Sequence, residues 1–322
     1  MRSSTNLLHL KALCEIVEKG LHLSQAAEAL HRSQPALSRQ IQQLEAELGV
    51  VLFERNRSRL IRLTDQGREI VEIARRIMND ARDITRVAQE RTDPGRGSLT
   101  VATTHTQARY TLPAIIQKFK QKYRGVTLGL MQATPVQCCD LVARGQADIA
   151  ICTETGPRAD VVQIPCYLLP RIVVTPPRHP LLRLRPPTLE AIARYPIITY
   201  AEGFSGRSIV DRAFHDAQLT PTVMLSAIDA DVSKAYVEMG LGIAILADVA
   251  FDPKRDKQLR RIPANMLFEP SRLNVVIRPK TYLRGYSLDF IQMFAPTLTV
   301  AQIHQAASAR GLRAVRRELP SL

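Results

Sequence analysis

Between residues 21 and 67 the apolar positions keep a helical beat twice and then change to a short strand-like alternation. Ser24 is placed to cap a first helix running to Leu30, and His31 and Arg32 make a corner. Ser33 caps a second helix with Pro35 in its first turn, where a missing N–H costs nothing. Along that second helix Leu37, Ile41, Leu44 and Leu48 share one face, which leaves Arg39, Gln42 and Gln43 opposite, flanked by Gln34 and Ser38. An apolar anchor, Leu52 and Phe53, follows, and then a run with Arg55, Arg57, Arg59 and Arg62 bounded by Asn56 and Ser58.

Two short amphipathic helices, a corner and a basic hairpin stand in the order of an all-α winged helix-turn-helix domain that reads double-stranded DNA. Glutamine pairs bidentately with adenine and arginine with guanine at a major-groove edge. Arginines on a wing hold phosphates, which sets position and affinity rather than sequence. A plain three-helix bundle shares the caps and stripes but not the anchor and basic run that follow here.

From Thr64, a cap, to about Arg91 the pattern predicts one long helix. Ile70, Ala74, Ile77, Ala81, Ile84 and Ala88 recur at alternating spacings of four and three, a seam that predicts a dimerisation helix, with packing on its own domain as the alternative. Thr92 to Gly97, with Asp93, Pro94 and Gly95, breaks the helix as a hinge. Beyond it the texture changes. Buried strands are expected at Ser98 to Thr103, Asp148 to Cys152, Arg171 to Thr175, Pro196 to Tyr200, Gly242 to Leu246 and Leu273 to Ile277, alternating with helices, which indicates parallel α/β packing.

The 322 residues exceed one ordinary domain. The expected division is a reader at 1–63, a linker helix at 64–92, a hinge at 93–97 and an α/β sensor at 98–308, followed by a basic tail at 309–322. The sensor's size fits two subdomains, the first about 98–165 and 270–308, the second about 166–269.

Charge changes this picture little. Lys and Arg number 44 against 30 Asp and Glu, a net of +14, but residues 1–94 hold 15 basic and 13 acidic side chains, a net of only +2. The reader's case therefore rests on local clustering. The sensor's surplus fits either an anion-binding site or an arginine-rich surface. Five cysteines without CxxC or Cys/His spacing argue against a disulfide framework or a metal site, and no cofactor signature is present. No apolar leader and no run near the roughly 18 apolar residues of a membrane span occur, so a cytoplasmic location without a membrane partner is expected.

Candidate binding chemistry clusters after expected strands. Thr103 to Tyr110 offers Thr104, Thr106, Gln107 and His105 where a helix begins; Thr153 and Thr155 follow the next strand; Gly203 to Ser208 includes Ser205; and Asp229 to Asp231 precedes another helix. In open α/β folds ligands bind beyond the carboxyl ends of strands, where helix N-termini supply free N–H groups. Hydroxyl, amide and backbone donors suit sulfate or a carboxylate without a buried lysine. Helix capping accounts for any one of these hydroxyls, and only convergence makes a site. No nucleophile, base and orienting acid fall at a catalytic spacing, so the chain is not expected to be an enzyme.

Two resemblances bear on these readings. SQAAEALHRSQPALSRQIQQLEAELGVVLFER followed by LTDQG resembles the N-terminal domain of LysR-type transcriptional regulators over about the first 68 residues. It implies a dimeric DNA-binding unit, dimers that pair into tetramers, an effector-sensing C-terminal domain and RNA polymerase as a further partner. Gln34, Pro35, Ser38 and Arg39 would lie nearest the bases, with the wing arginines on the backbone.

TTHTQARY, YAEGFSGRS, DADVSKAYVEMGLGIAILA and FIQMFAP resemble, more narrowly, the cysteine-biosynthesis branch of that family, the CysB and Cbl group, over most of residues 97–300. That likeness implies a sensor built like a periplasmic binding protein, control of sulfur assimilation or sulfonate-use genes, and an effector among sulfate, thiosulfate, acetylserine and adenylyl sulfate. It places the effector on Thr104, Thr106, Gln107, Thr153 and Ser205, the last where the branch often has threonine. The tail, with Arg310, Arg313, Arg316 and Arg317, departs from the branch and reads as solvated or disordered. The alternatives are a family member with another carboxylate effector and a sulfate-binding protein without a DNA role, which would need an export signal and no reader.

Overall fold

In the computed structural model, which describes residues 6–56, 59–184, 186–308 and 319–322, helices α1 (Leu7–Glu18), α2 (Leu23–Ala29) and α3 (Gln34–Leu48) precede an antiparallel wing of β1 (Phe53–Asn56) and β2 (Arg59–Leu63). The reader is thus helical with a β-hairpin appended. Leu13, Ile16, Leu37, Ile41, Leu44, Leu52 and Phe53 form its core, each fully shielded from solvent, and burial of such side chains is worth about 1.5–3 kcal/mol apiece. Leu48 is only partly buried at the edge.

Ser33 caps α3 by accepting from Ala36 N at 3.4 Å, with Pro35 in the first turn. Ser24 does not cap α2. That helix begins two residues earlier, after His22, and the Ser24 hydroxyl instead donates to Gln34 Oε1 at 3.0 Å, tying the two helices of the motif together. His31 turns the corner with a positive φ of 52°. Thr64 caps the long helix α4 (Asp65–Thr92), accepting from Gly67 N at 2.9 Å while its hydroxyl donates to Val51 O at 2.7 Å. A Cβ on Gly67 would stand 2.2 Å from Leu52 O, so the glycine of LTDQG is required by the close approach of α4 to the wing's anchor.

The expected seam of α4 is divided. Val71 and Ala74 are buried in the reader's core, with Ile70 and Met78 against them, because the first turns cover that domain's open side. Ile73, Ile77, Ile84 and Val87 instead form an exposed row, Ile84 at 72% exposure.

The chain divides into two units, Met1–Gln89 and Glu90–Leu322. In the second, β3 (Gly97–Thr103), α5 (Leu112–Lys122), β4 (Val126–Gln132), α6 (Pro135–Ala143), β5 (Ile149–Thr153) and β6 (Val162–Leu169) build a first lobe. The chain crosses at Pro170 into a second lobe of β7 (Arg171–Thr175), α7 (Leu189–Ala193), β8 (Ile197–Tyr200), α8 (Ser205–Asp216), β9 (Val223–Ala227), α9 (Ala230–Glu238), β10 (Ile243–Ala247) and β11 (Arg260–Pro263). It returns as β12 (Ser271–Ile277), α10 (Gly285–Phe294) and α11 (Val300–Ser308). The sheets are ordered β4-β3-β5-β12-β6 and β11-β7-β10-β8-β9, each with apolar clusters on both faces.

Three expectations change here. The sheets are mixed rather than parallel: β12 runs antiparallel to β5 and β6, and β7 antiparallel to β10 and β11. The reason is topological, since β7 and β12 start where the chain has just crossed between lobes, whereas their neighbours end there. The first crossing falls at Pro170 rather than 165/166, because β6 continues in the first sheet to Leu169. The expected hinge is fastened: Arg284 donates to the Asp93 carbonyl at 2.9 Å and to Glu90 at 2.7 Å, and Gly285 N donates to the same carboxylate at 3.1 Å. A buried arginine needs these acceptors, and the chain around residue 93 supplies them.

At the C-terminus, Arg310, Arg313, Arg316 and Arg317 lie outside the described residues. The last residues are ordered on the first lobe, contrary to expectation: Leu168 N donates to Pro320 O at 2.8 Å and Leu322 N to Leu168 O at 3.0 Å. An edge strand such as β6 offers unpaired backbone groups to such a segment.

Candidate functional site

On the reader, the burial of Leu37, Ile41 and Leu44 turns Gln34, Pro35, Arg39, Gln42 and Gln43 outward, with Ser38 half-buried between them. Arg59 is exposed on the wing and borders one surface hollow with Gln34, His22, Ser24 and Gln25. Arg57 lies outside the described residues. Arg55 has a second task, since its guanidinium pairs with Glu45 Oε2 at 2.7 Å. The other oxygen of that carboxylate accepts from Leu52 N at 2.9 Å and Phe53 N at 3.3 Å. Glu45 therefore fastens the wing to α3, and Arg62 pairs with Glu54 at 2.8 Å along the hairpin.

In the sensor, all five expected effector residues meet. Thr104, Thr106, Gln107, Thr153 and Ser205 line a single cleft between the two lobes, together with Leu169, Arg171, Tyr200, Phe204, Gly206 and Ala247, around roughly 330 Å³ of empty space that is partly open to solvent. The hydroxyls of Thr104, Thr106 and Thr153 make no hydrogen bond to another described residue. Gln107 Oε1 accepts from the Thr111 hydroxyl at 2.7 Å, which turns its Nε2 donor free of that contact. Ser205 opens the twelve-residue helix α8, whose first N–H groups lack helical acceptors, and its hydroxyl lies 3.0 Å from Ser271 Oγ.

One functional group escaped the sequence reading. Arg171, the first residue of β7, is 3% exposed, donates through Nη2 to Ser271 Oγ, and has an Nε atom that is buried without a partner. Burial pulls its pKa below the usual arginine value, with Tyr200 and Glu154 pulling it back, yet a guanidinium stays charged. The cleft therefore holds a cation, where neutral donors alone were expected. Its only sequence signal was an arginine at the head of an otherwise apolar run. The Tyr200 hydroxyl is buried and unpartnered as well.

Beside the cleft, residues 107–111 wind as a single π-turn, a form that recurs at functional sites. It carries Gln107 into the cleft and Arg109 and Tyr110 onto the second lobe. Arg109 Nε lies 3.2 Å from Asp231 Oδ2, the Tyr110 hydroxyl donates to Asp231 Oδ1, and Lys234 Nζ donates to the Tyr110 hydroxyl at 2.9 Å. Lys234, 6% exposed, is neutralised by Asp256 at 2.9 Å. Burial and the Asp231 contact push the Tyr110 hydroxyl up to about 12, so it stays a donor. Asp231 is held below its usual value: burial opposes this, but the bonds from Tyr110 and Lys234 outweigh it. This cluster joins the lobes.

His105 keeps a buried Nδ1 without a partner and does not line the cleft. All five cysteines are free and buried, and Cys139 is lowered to about 7 mainly by a hydrogen bond from Cys152, against the effect of burial. No described helix is long and apolar enough to cross a membrane.

A winged helix-turn-helix joined by a long helix to a two-lobed α/β domain defines a class of bacterial DNA-binding regulators. The pattern of the bacterial regulatory helix-turn-helix protein, lysR family, matches residues 7–68, and that of the LysR substrate binding domain matches residues 92–299. The chain belongs to the LysR family and is a transcriptional regulator, a kind of protein that is not an enzyme. It is 42% identical to the HTH-type transcriptional regulator CysB of Burkholderia cenocepacia, over 94% of this chain and 96% of that protein. Against the regulator SsuR of the same organism it is 44% identical, over 92% and 97%. The crystal structure of the cofactor-binding domain of the Cbl transcriptional regulator matches with a TM-score of 0.63 at 36% identity, over 66% of this chain and 95% of that one.

Proposed function

We propose that this regulator reads promoter DNA through α3 and the wing and changes its arrangement when a small sulfur-related anion fills the cleft, so controlling sulfur assimilation, cysteine biosynthesis or sulfonate-use genes in the cytoplasm. Gln34, Pro35, Ser38, Arg39 and Gln42 meet the bases, and Arg55, Arg57 and Arg59 meet the phosphates. The exposed row Ile73, Ile77, Ile84 and Val87 pairs with a second copy, since an apolar row on a long helix is otherwise left wet. Dimers pair into tetramers, and RNA polymerase is a further partner.

The observation that carries the effector reading is the convergence of Thr104, Thr106, Gln107, Thr153 and Ser205 on one cleft with a buried cation. Sulfate, thiosulfate, acetylserine and adenylyl sulfate are the candidates, and the sulfur assignment rests on the likeness to CysB. A ligand shifts a regulator only by favouring one arrangement over another. Here the π-turn links the two, with Gln107 on the ligand and Arg109 and Tyr110 on the opposite lobe. Thr104→Ala combined with Gln107→Ala should leave promoter binding intact and abolish the effect of these compounds on it, as read by gel retardation. An unchanged effector response in the double variant sinks the cleft as the sensor site.

A further inference from the structure

An arginine that is all but sealed from solvent normally has a carboxylate beside it, because an unpaired buried charge costs several kcal/mol. Arg171 has none. Its side-chain partner is the neutral Ser271 hydroxyl, its Nε meets no acceptor among the described residues, and none of the residues lining the cleft is an aspartate or glutamate. Glu154, one residue beyond Thr153, acts on it electrostatically but spends one carboxylate oxygen on Arg272 N at 2.6 Å.

The neutral groups around it, the Thr104, Thr106, Thr153 and Ser205 hydroxyls and the Gln107 amide, can satisfy hydrogen bonds but supply no charge. The missing counter-charge must therefore arrive with the ligand. A ligand ammonium, by contrast, would meet a guanidinium and no carboxylate.

We propose that Arg171 sets the charge of the effector: the cleft selects a small oxyanion, prefers a dianion to a monoanion of the same shape, and rejects zwitterionic amino acids. This rests on the reading of the cleft as the effector site and narrows it, favouring sulfate or thiosulfate over O-acetylserine. Placement supports the role. Arg171 and Ser271 each begin the strand that follows a crossing between lobes, so an anion on the guanidinium bears on both crossing strands.

The test is titration calorimetry of the full chain with sulfate, methanesulfonate and O-acetylserine, on wild type, Arg171→Gln and Arg171→Lys, with thermal unfolding of each variant as the check on folding. Wild type should bind sulfate on the order of tenfold or more tightly than methanesulfonate and O-acetylserine not measurably. Arg171→Gln should lose on the order of 10- to 100-fold for sulfate, the loss expected for a charged hydrogen bond, and with it the preference for the dianion. Arg171→Lys should retain that preference, and if Arg171→Gln fails to fold, this variant and the wild-type charge series decide. Equal wild-type affinity for sulfate and methanesulfonate, tighter binding of O-acetylserine, or an intact dianion preference in folded Arg171→Gln overturns the inference while the effector cleft stands. Binding of none of the three overturns the anion-effector reading and the inference with it.

Discussion

The reader and the sensor hold their functional groups in opposite ways. On the reader, Gln34, Arg39 and Gln42 come from one helix, adjacent in sequence and exposed, and their environment awaits a large polyanion from outside. In the sensor, Thr104, Thr153, Arg171, Ser205 and Ser271 come from separate elements, and the decisive charge is buried. A surface that must meet a long duplex can be built locally. A cleft that must enclose a small ion needs walls from several directions, and it can afford a desolvated guanidinium because water is excluded around it. Arg55 shows the intermediate case, an arginine on the wing, where we propose phosphate contacts, that also serves as a strut through Glu45.

The strongest way to break this contrast is at Gly67, where the reader depends on a non-local contact. Gly67→Ala places a methyl against the Leu52 carbonyl and should destabilise the reader by about 3 kcal/mol, at the upper end of overpacking costs, lowering its thermal midpoint in calorimetry while leaving effector binding in place. Next in size, Arg39→Ala should cost about 1–3 kcal/mol in promoter affinity and relax preference at one base pair, measured by fluorescence anisotropy on a set of single-base variants. If sequence preference is untouched, α3 is not the reader helix.

Within the sensor, Asp231→Asn removes the negative charge, and one of the two acceptor oxygens, shared by Arg109, Tyr110 and Lys234 and should weaken effector binding by about 1 kcal/mol through a less favoured closed arrangement. Calorimetry reads it, and an unchanged affinity means the lobes close without that cluster.

The smallest effect concerns pH. Burial holds Glu154 above the usual carboxylate range, against hydrogen bonds from its surroundings and the charge of Arg171. As pH falls through that raised value Glu154 loses its negative charge, Arg171 is less compensated, and sulfate affinity should rise by less than roughly tenfold, the factor carried by one pKa unit. Glu154→Gln should already show the higher affinity at neutral pH and flatten the profile. A profile that falls towards acid contradicts the sign.

The six strands legible in the sequence are β3, β5, β7, β8, β10 and β12, which are the interior strands of the two sheets. Each is buried on both faces and reads as a continuous apolar run. The strands missed, β4, β6, β9 and β11, are the four edges. VTLGLMQ alternates burial with exposure, VQIPCYLL carries a proline, and RRIP is short and charged, so none shows the doubly buried signature. Ser24 was misjudged for a related reason: a serine before an apolar stretch looks like a cap whether its hydroxyl turns to its own backbone or to Gln34 across the corner.

Sequence alone determined what depends on local spacing: the helical beat that turns Arg39 and Gln42 away from the core, the cap at Ser33, the interior strands, and the threonines and glutamine that stand just past them. Only the tertiary structure decided which of these meet, that β7 and β12 run against their neighbours, that Ala74 belongs to the reader while Ile84 stays bare, and that Arg171 is a buried cation with no carboxylate in hydrogen-bonding contact. The reason is range. Hydrophobic periodicity and capping act over a few residues, whereas burial of a charge and closure of a cleft are properties of groups brought together from as far apart as Arg171 and Ser271, and no local pattern records what they will face.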